Sequence, residues 1–462
     1  MAQTKIRFGT SGWRAVLADE FTFGNARRAV SGIASYLESK NLHGLLLVGH
    51  DTRFLADRFA REAANLLRQR GFAAEVSNRA VPTPVLAFET IRRKAVGALN
   101  FTASHNPPVY EGLKFSTGNG APALPEVTAR IEAEIAKVGD VDPAPDAQIQ
   151  SFDPAPAYLE NLGSRAGSSG LSGFPVALDF RFGTSAGYLD AFFEREGSSV
   201  EKIHAHPDPL FGGQSPQCSG RELAELSGVV RQKKSRLGLA TDGDADRFGV
   251  LDEKGTYLEP NAVLALVAWD LFRRSGSKKG IGRSVATTHA LDAIARKFGV
   301  PLIETPVGFK YLGELILEGK ILIGAEESAG LSIEGHVPDK DGILADALVA
   351  RMVAEGRRPI GELQAELEKE IGPFVSDRLD LPVTEKERKR IAEWRSNPPD
   401  RIGPHRVAKT DMCDGVKFIF DGGSWMLFRE SGTEPVARFY AEALSRSDVD
   451  ALMKLGRGLL EA

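Results

Sequence analysis

Short runs of consecutive apolar residues alternate along this chain with stretches whose apolar residues recur every three or four positions. Gly44-Leu45-Leu46-Leu47-Val48-Gly49 is a run of the first kind and reads as a buried strand. Phe59, Ala63, Leu66 and Leu67 then share one helical face, and Gly71 follows as a C-terminal cap. Ala95-Val96-Gly97-Ala98-Leu99 reads as the next strand. This rhythm predicts an α/β fold, with helices packed on a largely parallel or mixed sheet.

The rhythm is broken once, by the Pro/Ala/Asp-rich stretch from Val141 to Ala157, which reads as a linker. It then resumes. Val176-Ala177-Leu178-Asp179-Phe180 and Leu237-Gly238-Leu239-Ala240 are expected strands of a second unit. Ser284-Val285-Ala286-Thr287 and Ile321-Leu322-Ile323 are expected strands of a third, separated by a helix carrying Leu291, Ile294, Ala295 and Phe298. Past Gly372-Pro373 the texture changes to short alternating strands and a terminal helix. The expected division is 1–145, 146–252, 253–372 and 373–462, three α/β domains and a smaller α+β one. Phe8-Gly9-Thr10-Ser11-Gly12 is echoed faintly by Phe182-Gly183-Thr184-Ser185-Ala186-Gly187.

Composition narrows the classes. Among 462 residues, 58 Lys and Arg face 62 Asp and Glu, which points away from nucleic acid and membrane surfaces as partners. Two distant cysteines, Cys218 and Cys413, make neither a disulfide framework nor a metal spacing and fit a reducing cytoplasm. The first residues lack the apolar stretch of a signal peptide, and the most apolar segment, Ala262 to Trp269, is too short to span a bilayer. Nothing in the sequence sets an oligomeric state.

The sharpest local chemistry is Asp242-Gly243-Asp244-Ala245-Asp246-Arg247, just after an expected strand. Three carboxylates at alternate positions repel one another unless a cation neutralises them, and hard oxygen donors suit Mg²⁺, Mn²⁺ or Ca²⁺. An EF-hand is a poor match, because Arg247 stands where its glycine is needed and a strand precedes the loop. An Asp-x-Asp of a sugar transferase and a solvated acidic turn are the other readings. Thr102-Ala103-Ser104-His105-Asn106-Pro107-Pro108 also follows an expected strand. Ser104 there is a nucleophile or part of a polar turn, and His105 a base or a surface residue. Arg429-Glu430-Ser431-Gly432-Thr433-Glu434-Pro435, with Arg438 beyond, offers hydroxyls, close N–H groups and guanidinium forks for phosphate oxygens. Gly324-Ala325-Glu326-Glu327-Ser328-Ala329-Gly330, with His336 to Gly342 behind it, offers carboxylate and hydroxyl pairs for sugar hydroxyls.

These four segments, in this order, resemble the α-D-phosphohexomutase family, as do Gly9 to Arg14 and Thr305-Pro306-Val307-Gly308-Phe309-Lys310. The resemblance runs from about residue 8 to the last thirty. It implies four domains around a central cleft, the first three related. It implies that Ser104 carries a transferable phosphoryl group and, with Asp242, Asp244 and Asp246, ligates Mg²⁺. Arg14, His105 and Lys114 would lie beside the phosphoserine, with Lys114 a candidate acid/base and Arg247 a source of positive charge. Glu326 and Ser328 would hold sugar hydroxyls. His336, Lys340, Val307, Gly308 and Lys310 would lie near the substrate, and Arg429, Ser431, Gly432, Thr433 and Arg438 would grip the unreacting phosphate. The implied partner is a hexose phosphate, and a sugar 1,6-bisphosphate is the implied intermediate and activator.

This chain departs from the family pattern at Glu111, where Asn is usual, and at Ala15, Ala325 and Ala329, where Gly is usual. The alanines put the sugar loop's geometry, and so the preferred sugar, in question. Glucose and mannose phosphates are the expected substrates, and glucosamine phosphate the alternative. A catalytically idle phosphosugar-binding relative and a sugar-nucleotide transferase are further readings. Intact Ser104 and the three aspartates speak against the first, and the Arg429 loop against the second.

Overall fold

The computed structural model describes residues 4–9, 11–145, 148–382, 384–430 and 436–461. Four sheets organise them. In the first, Leu45–His50 runs parallel to Gly97–Phe101 on one side and Ala73–Ser77 on the other, and Gln150–Phe152 extends the parallel set. Tyr110–Thr117 and Trp13–Val16 complete it antiparallel, beyond Gly97–Phe101. The second sheet sets Ser199–Ile203, Pro175–Asp179 and Leu237–Thr241 parallel, then Phe248–Leu251 and Tyr257–Leu258 antiparallel. The third sets Leu302–Thr305, Gly280–Ser284 and Ile321–Glu326 parallel, then Gly330–Ile333 antiparallel.

One device therefore recurs in all three. The outermost parallel strand passes through a short loop into an antiparallel neighbour, and that loop emerges at the carboxyl end of the parallel strand, where ligands gather in such sheets. The three loops, 102–109, 242–247 and 327–329, hold Ser104, the aspartates and Ser328. The repetition lies in this topology. The two echoing sequence segments are not equivalent: Phe8 to Gly12 precedes an edge strand, whereas Phe182 to Gly187 follows the parallel strand Pro175–Asp179.

Two expectations need correction. The stretch from Val141 to Ala157 is more than a linker. Gln150–Phe152 inside it joins the first sheet, and a helix starts at Ala155. The third unit's first strand is Gly280–Ser284, not Ser284 to Thr287. Its two glycines hide it from a propensity reading, and at Gly282 a Cβ would come 2.7 Å from the tip of the Ile321 side chain, which would have to shift. Val285 and Ala286 leave the sheet and pack instead on Trp425 of the last domain.

One face of the first domain's sheet, with Leu46, Val48 and Leu99, has a core of its own, while Leu47, Val85, Leu86 and Ala98 on the other side join a continuous core with the second and third domains. The fourth sheet is antiparallel throughout: Val375–Pro382, Val436–Ala443, Trp425–Glu430, Val416–Phe420, His405–Asp411 and Arg401–Ile402. Its alternation is two-sided. Phe418, Met426, Phe428 and Phe439 pack under the terminal helix Arg446–Glu461. The opposite face presents Arg378, Trp425, Arg429 and Tyr440, together with Glu442, whose carboxylate accepts from His289 N in the third domain.

Candidate active site

Ser104 occupies the turn after Gly97–Phe101 with φ of 52°. This left-handed conformation costs a non-glycine residue ~1–2 kcal/mol. It aims the hydroxyl at the second domain, where Ser104 Oγ donates to Asp242 Oδ2 at 2.8 Å. His105 Nδ1 lies 3.4 Å from Ser104 Oγ. Burial, reinforced by Arg247 and Arg14, holds the His105 imidazole well below its usual range.

Asp242, Asp244 and Asp246 are all buried, and a ligand atom from each lies within 4.8 Å of the others. Ala245 sits between them at φ 58°, which curls the loop so that alternate side chains converge. Burial first, then Asp246 and Asp244, pushes Asp242 far above the carboxylate range. Burial works in the same direction on Asp246, but Lys114, Lys340 and Arg247 outweigh it and hold that carboxyl well below. Lys114 Nζ lies 2.5 Å from Asp244 Oδ2 and 3.0 Å from Asp246 Oδ2, and Lys340 Nζ lies 3.2 Å from Asp246 Oδ2. The two Oδ1 atoms, of Asp244 and Asp246, are buried and accept no hydrogen bond among the described residues. An all-oxygen donor set with two unused buried oxygens fits a hard divalent cation such as Mg²⁺.

The loop residues Glu326 and Ser328 bond each other, Ser328 Oγ donating to Glu326 Oε2 at 2.9 Å. Glu326 Oε1 accepts Gly308 N at 2.7 Å, which fixes the turn before the helix Phe309–Leu317. Gly308 has φ of 129°, a conformation that needs glycine. Of Ala15, Ala325 and Ala329, only Ala329 has a left-handed backbone, at φ 65°. Val307 N donates to Asp414 Oδ2 at 3.0 Å, and Arg429 Nε donates to the same oxygen at 2.7 Å. Arg429 stands directly opposite Arg438 in the antiparallel pair, so their side chains leave the sheet on one face. Asp414 pairs with Arg429, and Asp380 lies 4.0 Å from Arg438; two guanidinium forks on one face suit the oxygens of a phosphate. Ser431, Gly432 and Thr433 lie outside the described residues.

A cleft of about 500 Å³ opens between these parts, lined by His105, Asp242, Arg247, Glu327, Ser328 and Tyr440 among others. All four domains thus reach one cavity, of a size that suits a small molecule.

Models of the four phosphoglucomutase/phosphomannomutase domains match this chain in order. Alpha/beta/alpha domains I, II and III match 5–141, 156–255 and 259–371, and the C-terminal domain matches 383–454. The chain belongs to the phosphoglucomutase/phosphomannomutase family. It is an enzyme of the isomerase class, a phosphohexomutase. A phosphoglucomutase/phosphomannomutase of Thermococcus kodakarensis is 30% identical, over 98% of each chain. A proposed phosphoglucosamine mutase of Methanopyrus kandleri is 31% identical, over 95% of this chain and 94% of its own. The crystal structure of a proposed phosphomannomutase from Thermus thermophilus superposes with a TM-score of 0.88 at 34% identity, covering 100% of both chains.

Within this phosphohexomutase, Arg14 reaches the serine loop, Nη1 donating to Asn106 Oδ1 at 2.8 Å. Lys310 is half-buried at the start of its helix, and burial lowers its pKa. His336 is a correction. Its ring is 0% exposed, bonded to Asn161 at 2.9 Å and to Asp341 at 2.7 Å, and it does not face the cleft. Asp341 caps the helix Gly342–Gly356, and Gly342 N donates to Ala245 O at 3.0 Å. A Cβ on Gly342 would come 2.2 Å from Arg247 O, so this helix end butts against the aspartate loop. His336 therefore props that loop from behind.

Sequence reasoning missed Thr83, whose hydroxyl donates to Asp244 Oδ2 at 2.5 Å from the start of a first-domain helix. It also missed Asp414, and the pair Asp51 and Arg53. The Asp-x-Arg spacing at a strand end was the one available signal for that pair. Among the described residues, no helix is long and apolar enough to cross a membrane.

Proposed function

We propose that this phosphohexomutase interconverts the 1- and 6-phosphates of glucose, and of mannose, by way of a phosphorylated Ser104. The observation that carries this reading is the Ser104 hydroxyl, 2.8 Å from Asp242, at the edge of a buried carboxylate triad with unused oxygens. Ser104, Asp242, Asp244 and Asp246 would hold Mg²⁺. When bound, the ion supplies positive charge that neutralises the phosphoryl oxygens.

The phosphoryl group on Ser104 passes to the free hydroxyl of the sugar monophosphate. The bond from phosphorus to Ser104 Oγ breaks as the bond to the sugar oxygen forms. The hydroxyl proton leaves to a base beside Ser104, for which His105, its Nδ1 3.4 Å from Ser104 Oγ, is the candidate by position. The bisphosphorylated sugar turns over in the cleft, and its other phosphate returns to Ser104. Arg14, Lys114 and Arg247 offset charge around the serine, Glu326 and Ser328 orient sugar hydroxyls, and Lys310 and Lys340 flank them. Arg429 and Arg438, with Ser431, Gly432 and Thr433, hold the phosphate that is not reacting. A sugar 1,6-bisphosphate would prime the serine. A cytoplasmic setting suits two unpaired cysteines.

Relatives named phosphoglucosamine mutases keep glucosamine phosphate as a second reading. One coupled assay separates the two, with glucose, mannose and glucosamine 1-phosphates, Mg²⁺ and a trace of glucose 1,6-bisphosphate. Turnover of the first two with a phosphopeptide at Ser104 is the expected result. A fully active Ser104→Ala variant would overturn the mechanism. A strong preference for glucosamine phosphate would move the substrate.

A further inference from the structure

Arg53 follows the central strand Leu45–His50 of the first sheet and is wholly buried, its side chain 1% exposed. All five N–H donors of its guanidinium are in use. Nε donates to Asp51 Oδ2 at 3.1 Å. Nη1 donates to the carbonyls of Pro107 at 2.8 Å and Tyr110 at 2.9 Å. Nη2 donates to the carbonyls of Ser104 and Asn106, both at 2.7 Å. Three backbone carbonyls of the serine loop and that of Tyr110, which opens the next strand, thus converge on one cation, and the Phe211 ring of the second domain covers it at 4.9 Å.

Ser104 is held from its other side as well. Its N–H donates to Thr102 Oγ1 at 2.9 Å. Asp51 Oδ1 accepts Arg53 N at 2.8 Å. The carbonyl of the strained Ser104 therefore rests on Arg53, which Asp51 holds, and its N–H on the Thr102 hydroxyl. A left-handed serine persists only where its surroundings over-determine it.

The second domain repeats the device beside the first. Asp179 Oδ1 accepts Arg181 N at 2.8 Å, and Arg181 reaches the carbonyls of Glu222 and Ser215, both at 3.2 Å. The Ser215 hydroxyl then donates to His105 O in the serine loop.

We propose that Arg53 is a positioning residue, which sets the angle of Ser104 for phosphoryl transfer by gathering the carbonyls of Ser104, Asn106, Pro107 and Tyr110 and contacts neither substrate nor phosphate. The inference rests on the mutase reading above. A lysine cannot replace it, because three donors at one point cannot reach five acceptors spread around a planar fork.

The test compares wild-type enzyme with Arg53→Lys, and with Thr102→Val, which keeps Arg53 and removes only the hydroxyl behind Ser104 N. Ser104 is phosphorylated with glucose 1,6-bisphosphate, and the single-turnover rate constant for transfer to a sugar phosphate is measured. That constant does not depend on how much of the sample is folded. Arg53→Lys should lower it by about a hundredfold. Substrate KM and Mn²⁺ affinity should stay within about threefold of wild type. Thr102→Val should lower the rate constant by about tenfold. Amide hydrogen exchange over 102–110 should accelerate in both variants, whatever the chemistry. Wild-type transfer rates in either variant, or unchanged exchange in the loop, overturn the proposal. A wild-type enzyme that never transfers phosphate from Ser104 refutes the mutase reading instead, and the exchange measurement still judges the anchor.

Discussion

Tyr440 on the C-terminal sheet donates its hydroxyl to Glu327 Oε1 at 3.3 Å, while Ser284 donates to Glu327 Oε2 at 2.8 Å from within the third domain. One carboxylate beside the sugar loop is thus shared by two domains. Burial and the neighbouring Glu327 push the Tyr440 phenol up, which keeps it a donor. Tyr440→Phe removes this bond and no volume to speak of. The expected loss is ~1 kcal/mol in kcat/KM, about fivefold, with thermal stability little changed. Steady-state kinetics beside a melting curve checks it, and an unaltered kcat/KM would show that the bond does not couple the domains.

Arg429→Ala should raise KM and lower kcat together, by about tenfold each, because a phosphate grip remote from the reacting atoms helps to align the sugar. Phosphorylation of Ser104 by a bisphosphate should persist. Inorganic phosphate should raise the melting temperature of wild type more than that of the variant. Equal shifts in the two proteins would place the phosphate grip away from Arg429.

Ala329→Gly should stabilise the protein by ~0.5–1 kcal/mol in urea, since the left-handed backbone at φ 65° suits glycine. The same change should loosen the turn that carries Ser328 and raise KM about twofold. A destabilised variant would mean that the alanine methyl packs better than its backbone strain costs.

Lys417 is buried against the third domain, Nζ donating to Val285 O at 2.7 Å and lying 4.1 Å from the Trp425 ring centre. Burial first, then Arg283, pulls its pKa down to about 8 from 10.5. Between those values the unfolded chain keeps a proton that the folded chain has released, so stability rises with pH across that window. Below it the full penalty of the buried ammonium is felt. The gain should be on the order of 1–3 kcal/mol. Urea unfolding of wild type and Lys417→Met at about pH 7 and about pH 9.5 tests this, with the difference between the two proteins moving in favour of wild type as pH rises. A pH-independent difference would rule it out.

The sequence revealed what is contiguous and hid what is assembled. Ser104 and the three aspartates stand in short runs after apolar strands, so both the residue types and their place in the fold were readable. The bond from Thr83 to Asp244 joins residues 161 positions apart, and no local pattern reports it. Gly280–Ser284 carries two glycines and an arginine, so propensity misplaced the strand by several residues. His336 sits in a segment of polar residues that reads as a substrate loop. The decisive fact about it, a ring wholly enclosed by Asn161, Asp341 and Tyr158, depends on helices far away in the chain. Arg53 was hidden for another reason, since a cation satisfied almost entirely by main-chain carbonyls leaves little side-chain pattern for a motif to display.

The placement of the three functional loops at equivalent hairpin turns bears on how such a protein changes over generations. A turn between two paired strands can accept substitution without shifting the register of the sheet behind it. Under the roles proposed above, the turn at 327–329 could therefore drift toward another sugar while those at 102–109 and 242–247 kept the phosphoryl chemistry intact. Substrate range and reaction type would then be separately heritable traits. A lineage built this way diversifies by editing one corner at a time, and a swapped third-domain turn would be the smallest transplant able to move a preference between branches.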